Sequence, residues 1–483
     1  MHARSAPREA CGVIGIYLPN SDPSRPDAAM AAYHGLFALQ HRGQESAGIA
    51  AGDGRTLRNF THMGLVSQAF RKEDLDALRG HIAIGHTRYS TTGSSKLANA
   101  QPIVSKGPDV ELALGHNGNI INAAELRDRL KAEWDITCTA STDSEPIAHL
   151  LSHAPGRTWG ERSAYLMRML KGAYSLVVAT KDTLIAIRDP LGVRPMCLGR
   201  LYGGWAIASE SAALDHMGAQ FVREVEAGET IVIDRNGLTS IPSPVKTSRT
   251  AHCVFEHIYF ARPDSILDGQ LTYVSRQAMG RLLAQEHPAE ADIVIPVPDS
   301  ANTAAVGYAQ ALGIPYGYGL MKNRYVGRTF IEPDQRFRDL GVRNKFNTMP
   351  EVLSGKRVVV VDDSIVRGTT TPHIVALLRR AGAVEVHMRI CAPPILHPCH
   401  FGVDMPTKGE FIANGRTIEQ IREKIGADSL GYLSVAGLRQ AVNLEVDSSR
   451  GFCEACFTGL YPMEVQLQLD KLHLEQPAAP AAE

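Results

Sequence analysis

The chain has 483 residues and balances 50 Lys and Arg against 51 Asp and Glu, which gives a net charge of −1. This balance provides no general electrostatic attraction to nucleic acid or to an anionic membrane. No apolar run approaches the ~18 residues of a membrane-spanning helix, and residues 1–10 lack the apolar stretch of a secretory signal. We therefore expect a cytoplasmic protein of two or three domains, with no nucleic-acid or membrane partner.

Composition divides the chain into five segments. Residues 1–10 form a polar leader, and residues 11–235 contain many short apolar runs separated by Gly and Asn, which predicts an α+β domain. Residues 236–252 are rich in Pro, Ser and Thr and are predicted to be a linker. In residues 253–470 apolar strands alternate with helices, which predicts an α/β domain with a mostly parallel sheet. Residues 471–483 form a low-complexity tail that is predicted to be disordered.

A cysteine at position 11 precedes the apolar run GVIGIY. Alone, such a cysteine is most often a small core residue. Four polar motifs follow it: QHRGQESAG at 40–48, GHTRYSTTG at 85–93, GHNGN at 115–119 and STDSE at 141–145. Together, and in this order, they resemble the glutaminase domain of the N-terminal-nucleophile (Ntn) amidotransferases, which implies an αββα sandwich.

The resemblance implies that Cys11 is a catalytic nucleophile. A thiol that attacks the amide of glutamine needs a general base, and a free α-amino group with a pKa near ~7.7–8.0 can serve at neutral pH. Cys11 carries such a group only if residues 1–10 are removed. The leader is therefore interpreted as a propeptide.

The same resemblance assigns roles to four further residues. The side-chain amide of Asn117 and the backbone N–H of Gly118 are expected to form the oxyanion hole. Arg88 is expected to bind the α-carboxylate of glutamine, and Asp143 to accept a hydrogen bond from its α-ammonium group. Taken singly, these residues also fit a hairpin turn, a surface ion pair and a helix N-cap. The prediction depends on the whole set.

The strongest motif in the second domain is VVVVDDSIVRGTTT at 358–371. Its four valines predict a strand buried on both faces, followed by two carboxylates at the edge where ligands of open α/β sheets bind. A Gly- and Thr-rich turn before a helix suits a phosphate, and paired carboxylates suit sugar hydroxyls or a hydrated Mg²⁺. A strand, a polar turn and an N-cap without a ligand is the alternative. The run resembles the loop that binds 5-phosphoribosyl 1-pyrophosphate (PRPP) in type I phosphoribosyltransferases.

This resemblance implies which residues bind PRPP and Mg²⁺. Asp362 and Asp363 are expected to contact the ribose hydroxyls and Mg²⁺, with Ser300 as a further Mg²⁺ ligand. The basic segment 322–347 is expected to close as a lid over pyrophosphate, and a solvated basic loop is the alternative. The predicted PRPP-binding residues are Asp362, Asp363, Ser364, Arg367, Gly368, Thr369, Thr370, Thr371, Lys322 and Arg328.

Four of the eight cysteines are candidate metal ligands. Cys453 and Cys456 form a CxxC pair, and Cys253 and Cys399 are widely separated from it. This spacing differs from the two close pairs of a zinc ribbon, while cysteines far apart in sequence can hold one 4Fe–4S cluster. Buried thiols without metal and a structural zinc site are the alternatives.

A glutaminase joined to a phosphoribosyltransferase resembles one family, the glutamine PRPP amidotransferases, from Cys11 to about Pro462. The leader and the four cysteines resemble its iron–sulfur, propeptide-bearing subfamily. The resemblance implies one Mg²⁺ and one 4Fe–4S cluster per subunit, glutamine and PRPP as substrates, and ammonia channelled between the sites. It also implies feedback inhibition by purine nucleotides and a homotetramer. The implied cluster ligands are Cys253, Cys399, Cys453 and Cys456.

Three other functions are alternatives to this one. Another Ntn amidotransferase would carry a different synthase domain and would lack the PRPP loop. A regulator that senses PRPP would be expected to carry a DNA-binding segment and a basic patch, which the near-neutral charge disfavours. A related protein that has lost one activity would be expected to show a substituted motif, and none of the motif positions is substituted.

Overall fold

The computed structural model describes residues 11–19, 25–89, 93–323, 346–405, 407–442, 451–465 and 474–475. The predicted propeptide lies outside the described residues, as do Arg328, most of the predicted lid and most of the predicted tail. None of the helices in the described ranges is both long enough and apolar enough to cross a bilayer.

The first domain alternates short strands with helices. In chain order its elements are β1 (Gly12–Tyr17), α1 (Ala28–Ala38), β2 (Ser46–Gly52), β3 (Leu57–Met63), α2 (Val66–Ala69), α3 (Lys72–Ala77), β4 (Ile82–Arg88), β5 (Ile103–Lys106), β6 (Glu111–Ile120), α4 (Ala123–Trp134), α5 (Ser144–His153), α6 (Trp159–Met169), β7 (Gly172–Ala179), β8 (Leu184–Arg188), β9 (Cys197–Leu201), β10 (Gly204–Ala208), α7 (Ser211–His216), β11 (Gln220–Glu224), β12 (Thr230–Asp234) and β13 (Gly237–Ile241).

These elements form two antiparallel sheets that pack face to face. One sheet has the strand order β11-β9-β10-β1-β4-β2-β3, and the other has the order β13-β12-β8-β7-β6-β5. Val13, Ile84 and Val177 are fully buried between them. Helices α1 and α7 cover the outer face of the first sheet, and α4, α5 and α6 cover the second. The predicted αββα sandwich is confirmed.

The predicted linker, residues 236–252, is shorter in the structure than the sequence indicates. Residues 237–241 form β13, which pairs with β12 at the edge of the second sheet. His252 and Cys253 form a further short strand that pairs with Phe452 and Cys453. This edge strand is only five residues long and is followed by Pro and Ser residues, so composition alone assigns it to the linker.

The second domain begins at that short strand. In chain order its elements are β14 (His252–Cys253), a π-helical turn (Glu256–Phe260), β15 (Ile266–Leu267), β16 (Gln270–Leu271), α8 (Thr272–Glu286), β17 (Ile293–Pro296), α9 (Asn302–Leu312), β18 (Leu320–Lys322), β19 (Phe346–Thr348), α10 (Pro350–Leu353), β20 (Arg357–Asp362), α11 (Thr371–Arg380), β21 (Glu385–Ile390), α12 (Ile418–Ile425), β22 (Ser429–Tyr432), α13 (Val435–Val442), β23 (Phe452–Cys453) and α14 (Ala455–Thr458).

A parallel sheet of order β17-β20-β21-β22 forms the centre of this domain, as predicted. Val359 and Val361 of β20 pack in the same cluster as α8 and α9. Val358 and Val360 pack in the opposite cluster with α11. Both faces of the strand are covered, which explains its four consecutive valines. Asp362 ends the strand at the carboxyl edge of the sheet.

Candidate active sites

Cys11 lies immediately before β1 and has 5% of its surface exposed. Strands β1 and β4 are antiparallel, with Gly12 opposite Thr87, so the start of β1 meets the end of β4. There the thiol of Cys11 donates to the carbonyl of Tyr89 (3.3 Å), and its sulfur accepts from the backbone N–H of Tyr89 (3.4 Å). The backbone carbonyl of Cys11 accepts from Nε of Arg42 (3.2 Å).

Burial raises the pKa of the Cys11 thiol to about 12. The guanidinium of Arg88 opposes this effect, and the carboxylates of Asp143 and Glu45 add to it. At neutral pH the sulfur therefore keeps its proton, and nucleophilic attack requires a base beside it. While Ala10 remains attached, Cys11 has no α-amino group to act as that base.

This pKa predicts a steep pH dependence for the alkylation of Cys11 while Ala10 is attached. Because the thiolate is the reactive form and its pKa is about 12, the rate should rise about tenfold per pH unit between about pH 7 and 10. Iodoacetamide labelling followed by peptide mass spectrometry measures it. The peptide that begins at Cys11 is the internal control, since its α-amine makes it react faster and less steeply. A rate independent of pH in the Ala10-containing peptide would contradict the prediction.

The two predicted oxyanion-hole residues lie on β6, near its end. Asn117 is fully buried, and its Nδ2 lies 3.5 Å from Oγ of Ser209, which accepts from the N–H of Val13 at 2.9 Å. Within the described residues, Oδ1 of Asn117 has no hydrogen-bond partner. Gly118 has φ of 152°, and a Cβ there would lie 2.0 Å from the carbonyl oxygen of Ala173. Only glycine fits this position.

The predicted glutamine-binding residues Arg88 and Asp143 are both buried. Arg88 ends β4, and its Nη1 donates to the carbonyl of Ser94 (3.2 Å). The same Nη1 lies 3.5 Å from Oε2 of Glu45. Asp143 precedes α5, and its Oδ2 accepts from the N–H of Ile120 (3.0 Å). Both residues affect the pKa of Cys11 through their charges, so both lie in its electrostatic neighbourhood. A cation and an anion beside one thiol suit an amino-acid zwitterion.

The two carboxylates after β20 are held by hydroxyl groups. Asp363 accepts from Oγ of Ser300 and from Oγ of Ser364, each at 2.5 Å. Oδ1 of Asp362 accepts from the backbone N–H of Asp363 (2.9 Å). Asp362, Asp363 and Ser364 are all buried. The structure therefore brings Ser300 to the carboxylate pair, although Ser300 and Asp362 are 62 positions apart in sequence. Two carboxylates and a hydroxyl suit a hydrated Mg²⁺.

The turn that follows the carboxylates ends at a helix N-terminus. Gly368 has φ of 65°, Thr370 is the N-cap residue of α11, and the helix begins at Thr371. A Cβ at Gly368 would lie 2.1 Å from the side chain of Ile412. The first N–H groups of α11 have no partner within the helix, which suits an anion. Nε of Arg367 donates to Glu410 (3.1 Å).

Lys322 is the only predicted lid contact among the described residues. Its Nζ donates to Oδ2 of Asp299 at 2.8 Å, beside Ser300. It ends β18, which pairs with β19 in a two-stranded sheet at the base of the predicted lid. This pairing brings residues 322 and 346 together, so the segment between them begins and ends at one place.

Four cysteines surround one enclosed apolar pocket. Cys253, Cys399, Cys453 and Cys456 line it together with aromatic and aliphatic side chains. The parallel pairing of β14 and β23 sets Cys253 directly opposite Cys453. All four thiols are free. In the described ranges, no group of three or more His, Cys, Asp and Glu side chains is arranged around a single metal ion.

Sequence reasoning missed four charged residues beside Cys11. Their side chains are at most 3% exposed, and they form ion pairs with each other. One of them lies in the motif QHRGQESAG, and a charged residue is ordinarily assigned to the surface from sequence alone. The four residues are Arg42, Arg194, Glu210 and Glu256.

Comparisons with known proteins agree with this division into two sites. Residues 86–216 match the glutamine amidotransferase domain family, and residues 265–392 match the phosphoribosyl transferase domain family. The fold and the two sites thus define a glutamine amidotransferase joined to a phosphoribosyltransferase.

Full-length relatives identify the family. The amidophosphoribosyltransferase of Archaeoglobus fulgidus is 49% identical over 94% of this chain and 98% of its own length, and that of Mycobacterium tuberculosis H37Rv is 48% identical over 99% and 91%. The chain belongs to the amidophosphoribosyltransferases. It is an enzyme of purine biosynthesis that converts glutamine, PRPP and water into 5-phosphoribosylamine, glutamate and pyrophosphate.

Two solved structures share the whole fold. Glutamine PRPP amidotransferase from B. subtilis, complexed with ADP and GMP, is 44% identical with a TM-score of 0.88, covering 96% of this chain and all of the other. A structure described as the allosteric regulatory enzyme of purine biosynthesis is also 44% identical, with a TM-score of 0.89, covering 97% and 99%.

Proposed function

We propose that Cys11 releases ammonia from glutamine after residues 1–10 are removed as a propeptide. The new α-amine takes the Sγ proton, and sulfur attacks the amide carbon. The tetrahedral oxyanion accepts hydrogen bonds from Nδ2 of Asn117 and the N–H of Gly118. The amine returns the proton as ammonia leaves, and water then hydrolyses the glutamyl thioester. Support comes from the meeting of β1 and β4 at the buried thiol.

We propose that Arg88 and Asp143 fix the orientation of glutamine. The Arg88 guanidinium would bind the α-carboxylate, and the Asp143 carboxylate would accept from the α-ammonium group. Both side chains are already held by backbone groups, Arg88 by Ser94 and Asp143 by Ile120. Glutamine would therefore meet a preorganised site, which lowers the entropic cost of reaction.

We propose that the carboxyl edge of β20 binds PRPP. The carboxylates of Asp362 and Asp363 would accept hydrogen bonds from the ribose hydroxyls, and the turn from Arg367 to Thr371 would hold the 5′-phosphate at the start of α11. A Mg²⁺ held by Ser300, Asp362 and Asp363 would neutralise charge on the pyrophosphate. Ammonia then attacks C1 of the ribose as pyrophosphate leaves. The contact between Ser300 and Asp363 is the observation that supports this site best.

We propose that ammonia passes between the domains without entering solvent. Nδ2 of Asn119, next to the oxyanion-hole residues, donates to the carbonyl of His400 in the second domain (3.0 Å). Phe401 packs against Ala173 and Val193 of the first domain. An enclosed route keeps ammonia unprotonated, and only the free base is nucleophilic.

We propose that the four-cysteine pocket holds one 4Fe–4S cluster. The four thiols that line this apolar pocket form a donor set of the kind that holds an iron–sulfur cluster. Cys253, Cys399, Cys453 and Cys456 would be its ligands. Their distance in sequence from both catalytic motifs favours a structural role, in which the cluster joins the chain near residue 253 to the chain near residue 453.

We further propose the regulation, assembly and location that the family resemblance implies. The B. subtilis relative was solved with ADP and GMP, which supports purine nucleotides as feedback inhibitors here. We propose a cytoplasmic homotetramer, with a glutaminase domain that begins at Cys11 and extends through β13, and a phosphoribosyltransferase domain from 253 to 470.

The test is an assay of the purified protein with two nitrogen donors. We expect phosphoribosylamine to form from PRPP with either glutamine or ammonia, and to require Mg²⁺ in both cases. Intact mass should show loss of residues 1–10. A protein that uses ammonia but never glutamine would contradict the role of Cys11, and one that uses neither would contradict the whole proposal.

Gly402 offers a separate test of the contact between the domains. A Cβ at this residue would lie 2.9 Å from the carbonyl carbon of Gly118, and the φ of Gly402 is 101°. Gly402→Ala should therefore displace the oxyanion hole from a position 284 residues away in sequence. We expect glutamine-dependent activity to fall by about 10²-fold, because a shift of about 1 Å can cost that much. Ammonia-dependent activity should change less than about twofold.

Gly237→Ala is the matched control for Gly402→Ala. Its φ is 107°, so the substitution introduces similar backbone strain, but a Cβ there meets nothing within 4 Å. Both activities should survive in Gly237→Ala. Equal losses of glutamine-dependent activity in the two variants would show that strain, and not the contact with Gly118, is responsible.

A further inference from the structure

The C-terminal tail returns to the first domain. Leu474 packs against the hydrophobic cluster between the second sheet and the helices that cover it. Upstream, Tyr461 and Val465 pack against a cluster that includes Ala173 of the same domain. Glu475 follows Leu474 and is partly buried. Apolar contacts therefore place the described part of the tail on the glutaminase domain, and they bring the carboxylate of Glu475 to that domain.

The carboxylate of Glu475 joins two segments of the first domain. Its Oε1 accepts from the backbone N–H of Ser94 at 2.6 Å and from Oγ of Ser141 at 2.9 Å. Ser94 lies in the segment after β4, and Ser141 lies in the segment before α5. The hydrogen bond from Ser94 lowers the pKa of Glu475, so the side chain is ionised at neutral pH. Both hydrogen bonds are therefore charge-assisted, which makes them stronger than bonds between neutral groups.

These two segments carry the residues that are proposed to bind glutamine. The carbonyl of Ser94 accepts from Nη1 of Arg88 at 3.2 Å, so Glu475 holds a residue that itself holds the Arg88 guanidinium. Asp143 follows Ser141 by two positions and is the N-cap residue of α5. A shift of either segment would therefore change the separation between the guanidinium of Arg88 and the carboxylate of Asp143.

Asn99 links the same two segments from within the domain. Its Nδ2 donates to the carbonyl of Ser94 at 2.8 Å and to Oγ of Ser141 at 2.9 Å, and its Oδ1 accepts from the N–H of Ser141 at 2.9 Å. Asn99 is buried, with 1% exposure. Because this neutral link remains when Glu475 is changed, loss of the Glu475 carboxylate should loosen the two segments without unfolding the domain.

We propose that Glu475 is a positioning residue that sets the affinity of the enzyme for glutamine. This inference rests on the proposed roles of Arg88 and Asp143 in binding glutamine. The Glu475 carboxylate fixes the segment of Arg88 to the segment of Asp143. Glutamine then meets a cation and an anion at a fixed separation, which matches its α-carboxylate and α-ammonium groups. A site that is ordered in advance lowers the entropic cost of binding.

Glu475→Ala tests the proposal in the full-length enzyme. We expect the KM for glutamine to rise about tenfold, which is the lower end of what a hydrogen bond to a charged group contributes. The kcat with glutamine and the rate with ammonia should change less than about twofold, because the contact acts on substrate binding and not on the chemical step. Glu475→Gln keeps the shape and removes the charge, so its KM should lie between the two.

Glu464→Ala is the matched control. Glu464 lies in the same C-terminal segment and is exposed, so this variant removes the same charge from the same part of the chain. We expect its KM for glutamine to stay within about twofold of the unmodified value. A chain that ends at Gln476 keeps Glu475 and should also behave as the unmodified enzyme. A chain that ends at His473 should match Glu475→Ala.

Hydrogen exchange measures the contact without any assay of activity. The N–H of Ser94 donates to Glu475, and a hydrogen-bonded amide exchanges more slowly than a free one. We expect exchange at Ser94 to become faster in Glu475→Ala and to stay unchanged in Glu464→Ala. Equal exchange at Ser94 in the unmodified enzyme and in Glu475→Ala would contradict the contact.

The kinetic outcomes separate the inference from the function on which it rests. A KM for glutamine that stays within about twofold in Glu475→Ala overturns the inference. An equal rise in Glu464→Ala also overturns it, since the charge of the tail would then be responsible. So does an equal loss of the rates with glutamine and with ammonia, which a general structural role would explain. An unmodified enzyme that uses ammonia but never glutamine would instead contradict the proposed function, and exchange at Ser94 would then decide whether Glu475 holds the two segments.

Discussion

Cys11→Ala is expected to abolish the use of glutamine and to spare the use of ammonia. Removal of a catalytic nucleophile costs roughly 10³-fold or more, and the residual activity comes from binding alone. Glutamine hydrolysis and glutamine-dependent synthesis should both fall by this factor. Synthesis of phosphoribosylamine from PRPP and ammonia needs only the second domain, and it should remain within about twofold of the unmodified rate. A coupled assay with the two nitrogen donors measures the split.

Cys197→Ala is the control for this variant. Cys197 lies on β9, in the sheet that contains β1, and is also buried, with 3% exposure. Its thiol donates to the carbonyl of Ala208. We expect both activities to persist. If Cys11→Ala still used glutamine, another group would have to be the nucleophile.

Asp363→Asn is expected to abolish synthesis from either nitrogen donor. The change removes the negative charge that would face Mg²⁺, and it replaces one acceptor of the serine hydroxyls with a donor. Loss of charge stabilisation at such a site is worth several kcal/mol, so both synthetic rates should fall by about 10²-fold or more. Glutamine hydrolysis measured without PRPP should be unchanged within about twofold. Together with Cys11→Ala, this variant assigns each half-reaction to its own domain.

Asp292→Asn is the control for Asp363→Asn. Asp292 lies just before β17, on the opposite side of the sheet from its carboxyl edge, and binds Arg357 through the backbone N–H at 2.8 Å and the guanidinium at 3.1 Å. The Asp292→Asn substitution removes one negative charge from the same domain, at a position away from the proposed PRPP site. We expect both activities to persist. If Asp363→Asn kept its synthetic rate, the proposal that PRPP binds at the end of β20 would be contradicted.

Local patterns predict much of this protein because their physical causes lie within a few residues. The four valines of β20 require a strand covered on both faces, and α8, α9 and α11 supply that cover. Asp27 caps α1 by accepting from the N–H of Met30 at 2.9 Å, as an aspartate at a helix N-terminus does. Gly313 adopts φ of 67° after α9, as a C-terminal glycine should.

Contacts between distant segments could not be predicted in this way. The buried pairs between Arg42 and Glu256 join residues 214 positions apart, and each side chain alone has the composition of a surface residue. The sequence predicts a linker where the structure has the edge strand β13. Pairing with β12 stabilises this strand, and the local sequence does not show that pairing. Glycine at position 402 is favoured by its φ of 101° and by the close approach of Gly118, and the sequence around it indicates neither.

The sequence by itself determined the two domain classes, the order of the motifs and the residue types available for nucleophilic attack, phosphate binding and metal ligation. These follow from side-chain chemistry and from periodicities of a few residues. Only the tertiary structure decided which groups meet: Ser300 with Asp363, Cys253 with Cys453, and Arg42 with both Cys11 and Glu256. Those pairings depend on sheet order and domain packing, whose energies come from the burial of many distant residues at once.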